Sequence, residues 1–325
     1  MQRYGGLFGV WCCMAVLLSA PTLVTGETTA AAGPAEVVLG TATPGGGFQL
    51  FGQHLAEAIN AVDPQLRVAA IPTRGSRQNL ELLEAGEIHI GLVEGNAAHL
   101  ALGGIGRAPA DLRVLAVMYP NPGMFAVRAD SPYRTIGDLR GRPVVFGTRA
   151  SGLRLLANDV IEGIGLSPER DFDAMLLDKA ADGPRLVLAG EAEALWGAGI
   201  GWPGFVRLAD SPGGARFIAP SAQEIDAVLA RHPHLRRMSV PAGTYRGQDE
   251  RIDSVGLWSL VLIRPDVSEA TAYRLARAIH AAAPLLAERL AQGRYATAEN
   301  TVSEVPEQRM HPGAARYYRE VGLLP

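Results

Sequence analysis

Apolar positions in this chain fall alternately into short continuous runs and into stretches with helical spacing. Val37 to Leu39 is a short apolar run that reads as a strand, and Phe48, Leu55, Ile59 and Val62 behind it share a rough helical period. Arg67 to Ile71 predicts a second strand and Ser76 to Ala85 a helix closed by Gly86. Ile88 to Val93 predicts a third strand. Leu112 to Tyr119 and Met124 to Val127 continue the series. Ser131-Pro132-Tyr133 and Thr135 to Leu139 then interrupt it, and Val144 to Phe146 opens a new set. Strands alternating with helices predict an α/β fold, with a parallel sheet covered on both faces.

An internal echo suggests that this unit occurs twice. Leu82-Leu83-Glu84-Ala85-Gly86-Glu87 is matched by Leu186-Val187-Leu188-Ala189-Gly190-Glu191, each a helix end, a capping glycine and the start of a strand. The second strand, Ala192 to Trp196, gives way to Gly197-Ala198-Gly199, as the first gives way to Glu94-Gly95-Asn96. Val255 to Ile263 is an apolar strand long enough to run from one lobe back to the other, and Ser268 to Leu290 is helical. The expected organisation is two Rossmann-like lobes joined by hinge strands near Val127 and Leu257. Residues 35–127 with 257–325 would form lobe 1, and residues 128–256 lobe 2. Ligand sites in open α/β sheets lie beyond the carboxyl ends of the strands, so the lobes would face each other across such a site.

The N-terminus changes the setting. Arg3 precedes an apolar run from Leu7 to Leu18 and then small and polar residues, the layout of a secretory signal peptide, so residues 1–26 are expected to be removed on export to the periplasm. Both cysteines, Cys12 and Cys13, lie in that segment. The exported chain would therefore have no disulfide, thiol catalysis or thiolate metal site. A net charge of -3 argues against non-specific binding to nucleic acid or anionic lipid.

The candidate chemistry is that of binding. The turn Gly40-Thr41-Ala42-Thr43-Pro44-Gly45-Gly46-Gly47 sits between a strand and a helix. Its backbone N–H groups and the helix dipole favour a carboxylate or phosphate. Arg74 and Arg77 flank Gly75 and Ser76, with Ser76 a natural N-cap. Arg149 and Arg154 surround Ser151 and Gly152 in the second lobe. Cations at helix starts oppose the dipole, which suggests an anionic partner. Glu94, at a strand end, would accept hydrogen bonds from a ligand amine or pair with one of these arginines. Trp196 and Trp202 flank the equivalent strand end and would either close over a ligand or pack. No Walker loop, dinucleotide fingerprint or Gly-x-Ser-x-Gly elbow is present, so an enzyme is not expected. His232-Pro233-His234 has the spacing of a metal pair, but its proline and arginine-rich surroundings favour a solvated turn. No metal or cofactor is expected.

The same residues carry a family resemblance. Gly-Thr-x-x-x-Gly-Gly at Gly40 to Gly46, Thr73-x-Gly-Ser-x-x-Asn79, Leu83-x-x-Gly86-Glu87 and Tyr119-Pro120 belong to it. So do Ile136-x-Asp138-Leu139-x-Gly141, Ser151-Gly152, the run from Val240 to Asp249 and His311-Pro312-Gly313-Ala314-x-x-Tyr317-Tyr318. Over nearly its whole exported length the chain resembles a TAXI-family solute receptor of TRAP transporters. The resemblance implies a type II periplasmic binding protein fold, acting as a monomer, that closes on a small solute and delivers it to a TRAP-type membrane permease. Glutamate-like or dicarboxylate ligands are the expectation, and a sensory subunit that reports a solute without transport is the alternative. Ligand positions carried over are Thr43, Gly46, Gly47, Phe48, Gly75, Ser76, Glu94, Ser151 and Gly152. Arg74, Arg77, Arg149 and Trp202 join them from the reading of the residues. The chain departs from the family pattern where Phe48 replaces a usual Tyr, Glu94-Gly95-Asn96 a usual Gln-Ser-Asp, and Ala150 to Leu153 a usual Gly-Ser-Gly-Thr. These changes put the usual ligand in doubt.

Overall fold

The computed structural model describes residues 33–325, together with Gly9. The expected export signal at residues 1–26, with Cys12 and Cys13, otherwise lies outside the described residues. Among the described residues no helix is long and apolar enough to cross a membrane.

Strand β1 (Ala35–Gly40) leads through the glycine turn into helix α1 (Gly47–Val62), then β2 (Leu66–Ile71), α2 (Ser76–Glu84), β3 (Ile90–Val93) and α3 (Gly95–Gly103). Helix α1 buries Phe51, Leu55, Ala58 and Ile59, the i, i+4, i+7, i+8 face of an amphipathic helix. Strand β4 (Arg113–Pro120) completes this half, and the chain then crosses at Asn121 and Pro122 into β5 (Gly123–Arg128). Strand β6 (Pro143–Thr148), α4 (Leu153–Gly163), α5 (Pro168–Asp171), β7 (Asp173–Leu177), α6 (Asp182–Leu188) and β8 (Ala194–Ala198) follow. Then come α7 (Pro203–Ala209), β9 (Ala215–Ile218), α8 (Ala222–Arg231), β10 (Arg236–Val240) and β11 (Ile252–Gly256). The return passes Leu257 into β12 (Trp258–Ile263) and ends in α9 (Glu269–Arg289), α10 (Ala298–Glu304) and α11 (Pro312–Glu320).

Two five-stranded sheets result, ordered β2-β1-β3-β12-β4 and β7-β6-β8-β5-β9. They share one plan. In the first, β1 runs parallel to β2 and β3, and β12 lies antiparallel between β3 and β4. In the second, β6 runs parallel to β7 and β8, and β5 lies antiparallel between β8 and β9. In each sheet the reversed strand is the one that has just crossed from the other half. The two-lobed α/β architecture expected from the alternation of strands and helices is therefore present.

Three details differ from the expectation. Each five-stranded sheet is mixed rather than parallel, because the strand that crosses over enters it in reverse. Met124 to Val127 does not continue the first sheet but lies inside β5 of the second. Its residues alternate between two cores: Phe125 and Val127 pack with Val144 and Trp196, while Met124 and Ala126 pack with Val145 and Leu195. The apolar stretch 255–263 is two strands rather than one. β11 pairs antiparallel with β10 in a separate two-stranded sheet, and β12 enters the first sheet after a break at Leu257. The crossings lie side by side, since Asn121 N–H donates to the Leu257 carbonyl at 3.0 Å and Asn121 Nδ2 donates to Ser259 Oγ at 2.6 Å.

Candidate functional site

The glycine turn lies against the opposite half of the molecule. Gly45 takes a φ of 77°, and Gly46 is the N-cap of α1 without a side-chain bond. Ala180 N–H donates to Thr43 Oγ1 at 3.4 Å. A Cβ added to Gly45 would lie 2.7 Å from the Ala181 Cβ, and one added to Gly47 would lie 2.8 Å from Trp202 Cδ1. These glycines therefore serve the close approach of the second lobe as much as the bend itself. A second seam forms where Arg77 N–H donates to the Ala150 carbonyl at 3.4 Å. Gly75, at φ 112°, faces the same carbonyl.

Between these seams is a cavity of about 60 Å³, room for roughly four to six waters, so the space suits a small solute. Its first wall carries Thr43, Gly46, Gly47, Phe48, Gly75, Ser76 and Glu94, with Arg74 exposed at the rim. Its second wall carries Ser151, Gly152 and Trp202. Arg77 and Arg149 do not line it. They are exposed in an adjacent cavity that shares Thr43 and Arg74, where Arg149 approaches the exposed Asp178 at 4.0 Å. Trp196 is fully buried in the core of the second sheet, with its Nε1 donating to the Leu153 carbonyl at 2.9 Å, which decides between its two expected roles.

Ser76 is not the N-cap of α2. Gly75 holds that position, and Ser76 Oγ accepts instead from the Glu94 N–H at 3.0 Å. Glu94 is itself a cap: Oε2 accepts from Asn96 N–H at 3.0 Å and from Ala97 N–H at 3.4 Å, at the start of α3. Its residue is 1% exposed, and Oε1 is buried without a partner. No arginine pairs with it among the described residues. Burial pushes its carboxyl up to about 8, against the opposing pull of the Ala97 and Asn96 N–H groups and with a further push from Asp159. At neutral pH this side chain is mostly a neutral acid, able to donate through Oε1.

Other lining residues stand outside the expected ligand set. Tyr119 and Asn121 stand at the carboxyl end of β4, where the rule on strand ends would have found them. Thr148, Leu153, Ala180 and Ala198 also line the space and are chemically plain. Two buried side chains hold the walls in place. Asn79 Nδ2 donates to the Thr41 and Leu92 carbonyls, each at 2.7 Å, and so clamps the ends of β1 and β3. Tyr245 OH donates to the Gly199 carbonyl and accepts from Gly201 N–H, both at 3.0 Å, fixing the loop that presents Trp202. His232-Pro233-His234 does lie in a turn, closed by Leu235 N–H donating to the His232 carbonyl at 3.0 Å, but its imidazoles are not solvated: both are largely buried and face Asp159.

A model of the NMT1-like family matches residues 39–322, which include every residue of this cavity and both sheets apart from the first four residues of β1. The chain belongs to the NMT1-like family. Its fold is similar to that of the alkanesulfonate-binding protein SsuA from Xanthomonas axonopodis pv. citri bound to MOPS. The TM-score is 0.50 at 20% identity, covering 91% of this chain and 86% of that one. A protein of known structure from Bordetella bronchiseptica RB50 gives a TM-score of 0.54 at 17% identity over 89% of this chain and 81% of that one. At such identities the likeness concerns the fold, which this NMT1-like chain shares with a known solute-binding protein.

Proposed function

We propose that this NMT1-like protein is a periplasmic receptor of the TAXI type, which closes on a small acidic solute and presents it to a TRAP-type permease. The observation that carries the reading is the cavity lined from both lobes, with seams at Thr43–Ala180 and Arg77–Ala150 on its border. A solute held there would be gripped from two sides, and its binding energy would favour the closed arrangement.

The lining supports a small acid. Helix α1 begins at Gly47, where the first-turn N–H groups have no intrahelical partner and the positive end of the dipole faces the same wall. Arg74 supplies a full positive charge at the rim. Glu94 does not oppose an anion while it is neutral. It would donate Oε1–H to a ligand oxygen, or, once ionised, accept from a ligand ammonium. A glutamate-like compound or a small dicarboxylate satisfies both ends.

Calorimetric titration of the purified protein with amino acids, dicarboxylates, keto acids and sugars tests the reading. Binding is expected within one acidic class. Arg74→Ala should weaken it by about 10- to 100-fold, the worth of one charge-assisted hydrogen bond. Silence across the panel, or affinity unchanged in Arg74→Ala, would overturn the assignment.

A further inference from the structure

A second cluster lies at the edge of the junction between the lobes, away from the cavity lining. Asp159 on α4 meets His232, the residue that closes α8, and His234 just before β10. Asp159 Oδ2 is 3.1 Å from His234 Nε2, and Asp159 Oδ1 is 3.5 Å from His232 Nδ1. One ligating atom from each of the three residues lies within 4.8 Å of the other two. A turn between α8 and β10 accounts for their convergence: Leu235 N–H donates to the His232 carbonyl at 3.0 Å, and the bend brings both imidazoles to Asp159.

The His234 ring is stacked on His99 of α3, with centroids 4.4 Å apart and planes within 2°, which fixes its orientation towards Asp159. Two imidazoles and a carboxylate converging on one point are the donor set of a divalent metal. In a four-coordinate zinc site, bonds of about 2.0–2.2 Å put neighbouring ligand atoms roughly 3.3 Å apart; the 3.5 and 3.1 Å contacts here are to different carboxylate oxygens, and three atoms already within 4.8 Å of one another need only draw in to share an ion. The carboxylate also has an orienting partner, since Asn96 Nδ2 donates to Asp159 Oδ2 at 2.6 Å.

We propose that Asp159, His232 and His234 form a site for a divalent transition metal, zinc being the best fit, which braces the second lobe against α3. Two imidazoles and one carboxylate suit zinc over calcium or magnesium, which take oxygen ligands. The three ligands come from α4 and from the segment joining α8 to β10. The residues packed on them, Asn96 and His99, come from α3, which begins at the Glu94 cap. A metal here would fix the Asp159 carboxylate that Asn96 grips and the His234 ring on which His99 stacks. It would therefore stabilise the closed junction without touching the solute.

Chelator-stripped protein titrated with zinc against a chromophoric chelator should bind one equivalent. The double variant His232→Gln/His234→Gln should lose at least about 100-fold in affinity, and Asn96→Ala about 10-fold, as outer partners of metal ligands do. Zinc-edge absorption of the wild-type protein reports the ligands independently of any variant, and two imidazoles in a nitrogen/oxygen shell are expected. Absence of saturable binding, unchanged affinity in the double variant, or a shell without imidazole would each overturn the proposal.

Discussion

At the residue scale, Glu94 holds the least stable arrangement in the cavity and the most informative one. Its carboxyl keeps a proton up to about pH 8 in the folded protein, whereas an ordinary glutamate releases it near 4.5. Between those values the folded state holds a proton that the unfolded state has lost. Stability therefore falls by up to about 1.4 kcal/mol per pH unit as pH rises through that window, and levels off above it. Glu94→Gln keeps the cap oxygen and a donor but cannot ionise. Urea unfolding of both proteins from pH 5 to pH 8 should show the variant gaining on the wild type as pH rises; parallel profiles would mean that Glu94 is ionised when folded. Much of this site was legible in the chain. The glycine turn, Ser76, Glu94 and Ser151-Gly152 stand on the cavity because strand ends and helix starts can be read from periodicity. The burial of Glu94 was not legible, because it depends on Gly152, which comes from the other lobe. Arg77 looks like its neighbours in sequence, yet one residue along the start of α2 turns a side chain by about 100° from Ser76, towards the adjacent cavity. Arg149 lies in the turn after β6, ahead of α4, and faces the same adjacent cavity.

At the element scale, the crossing between lobes depends on one contact that periodicity could not show. The run 255–263 is apolar apart from Gly256 and Ser259, and the glycine beside Leu257 is the one mark of the break in its pattern. The structure places it where Gly256 packs on the other crossing segment. A Cβ added there would come within 1.8 Å of the Asn121 carbonyl oxygen and 2.7 Å of its carbon, both backbone atoms with little freedom to yield. Gly256→Ala should force the two crossing segments apart and cost at least about 1–3 kcal/mol. Loss of the Asn121 to Leu257 hydrogen bond should accompany it, visible as faster amide exchange at Asn121. A melting temperature and exchange rate equal to the wild type would show that the crossing tolerates separation. The same packing accounts for the placement of Met124 to Val127. As a bare apolar run it fits either sheet, and only the reversal of direction after Asn121 assigns it to the second.

At the scale of the whole molecule, each lobe has its own core while the junction between them is polar and glycine-rich. The first sheet packs Leu39, Phe51, Ile59 and Leu262 with the C-terminal helices, and the second buries Phe125, Phe146, Trp196 and Phe205. The junction instead brings Thr43 to Ala180, Arg77 to Ala150, Asn96 to Asp159 and Glu94 to Gly152. Folding and the proposed closure therefore draw on different residues, and a change at the junction would shift that closure while leaving both cores intact. Gly152 is the place to separate them. A Cβ there would meet the Glu94 Cβ at 2.5 Å and Oε2 at 2.9 Å across the cleft, although Gly152 itself has ordinary helical backbone angles. Gly152→Val leaves its own lobe unstrained and props the cleft open. Its unfolding midpoint should stay within about 1 kcal/mol of the wild type, as for substitutions outside a core. Small-angle scattering should show a larger radius of gyration that added ligand no longer reduces. If the variant instead unfolds early, closure and folding are one process in this chain; if it still compacts with ligand, the Glu94–Gly152 contact is not part of the closed state.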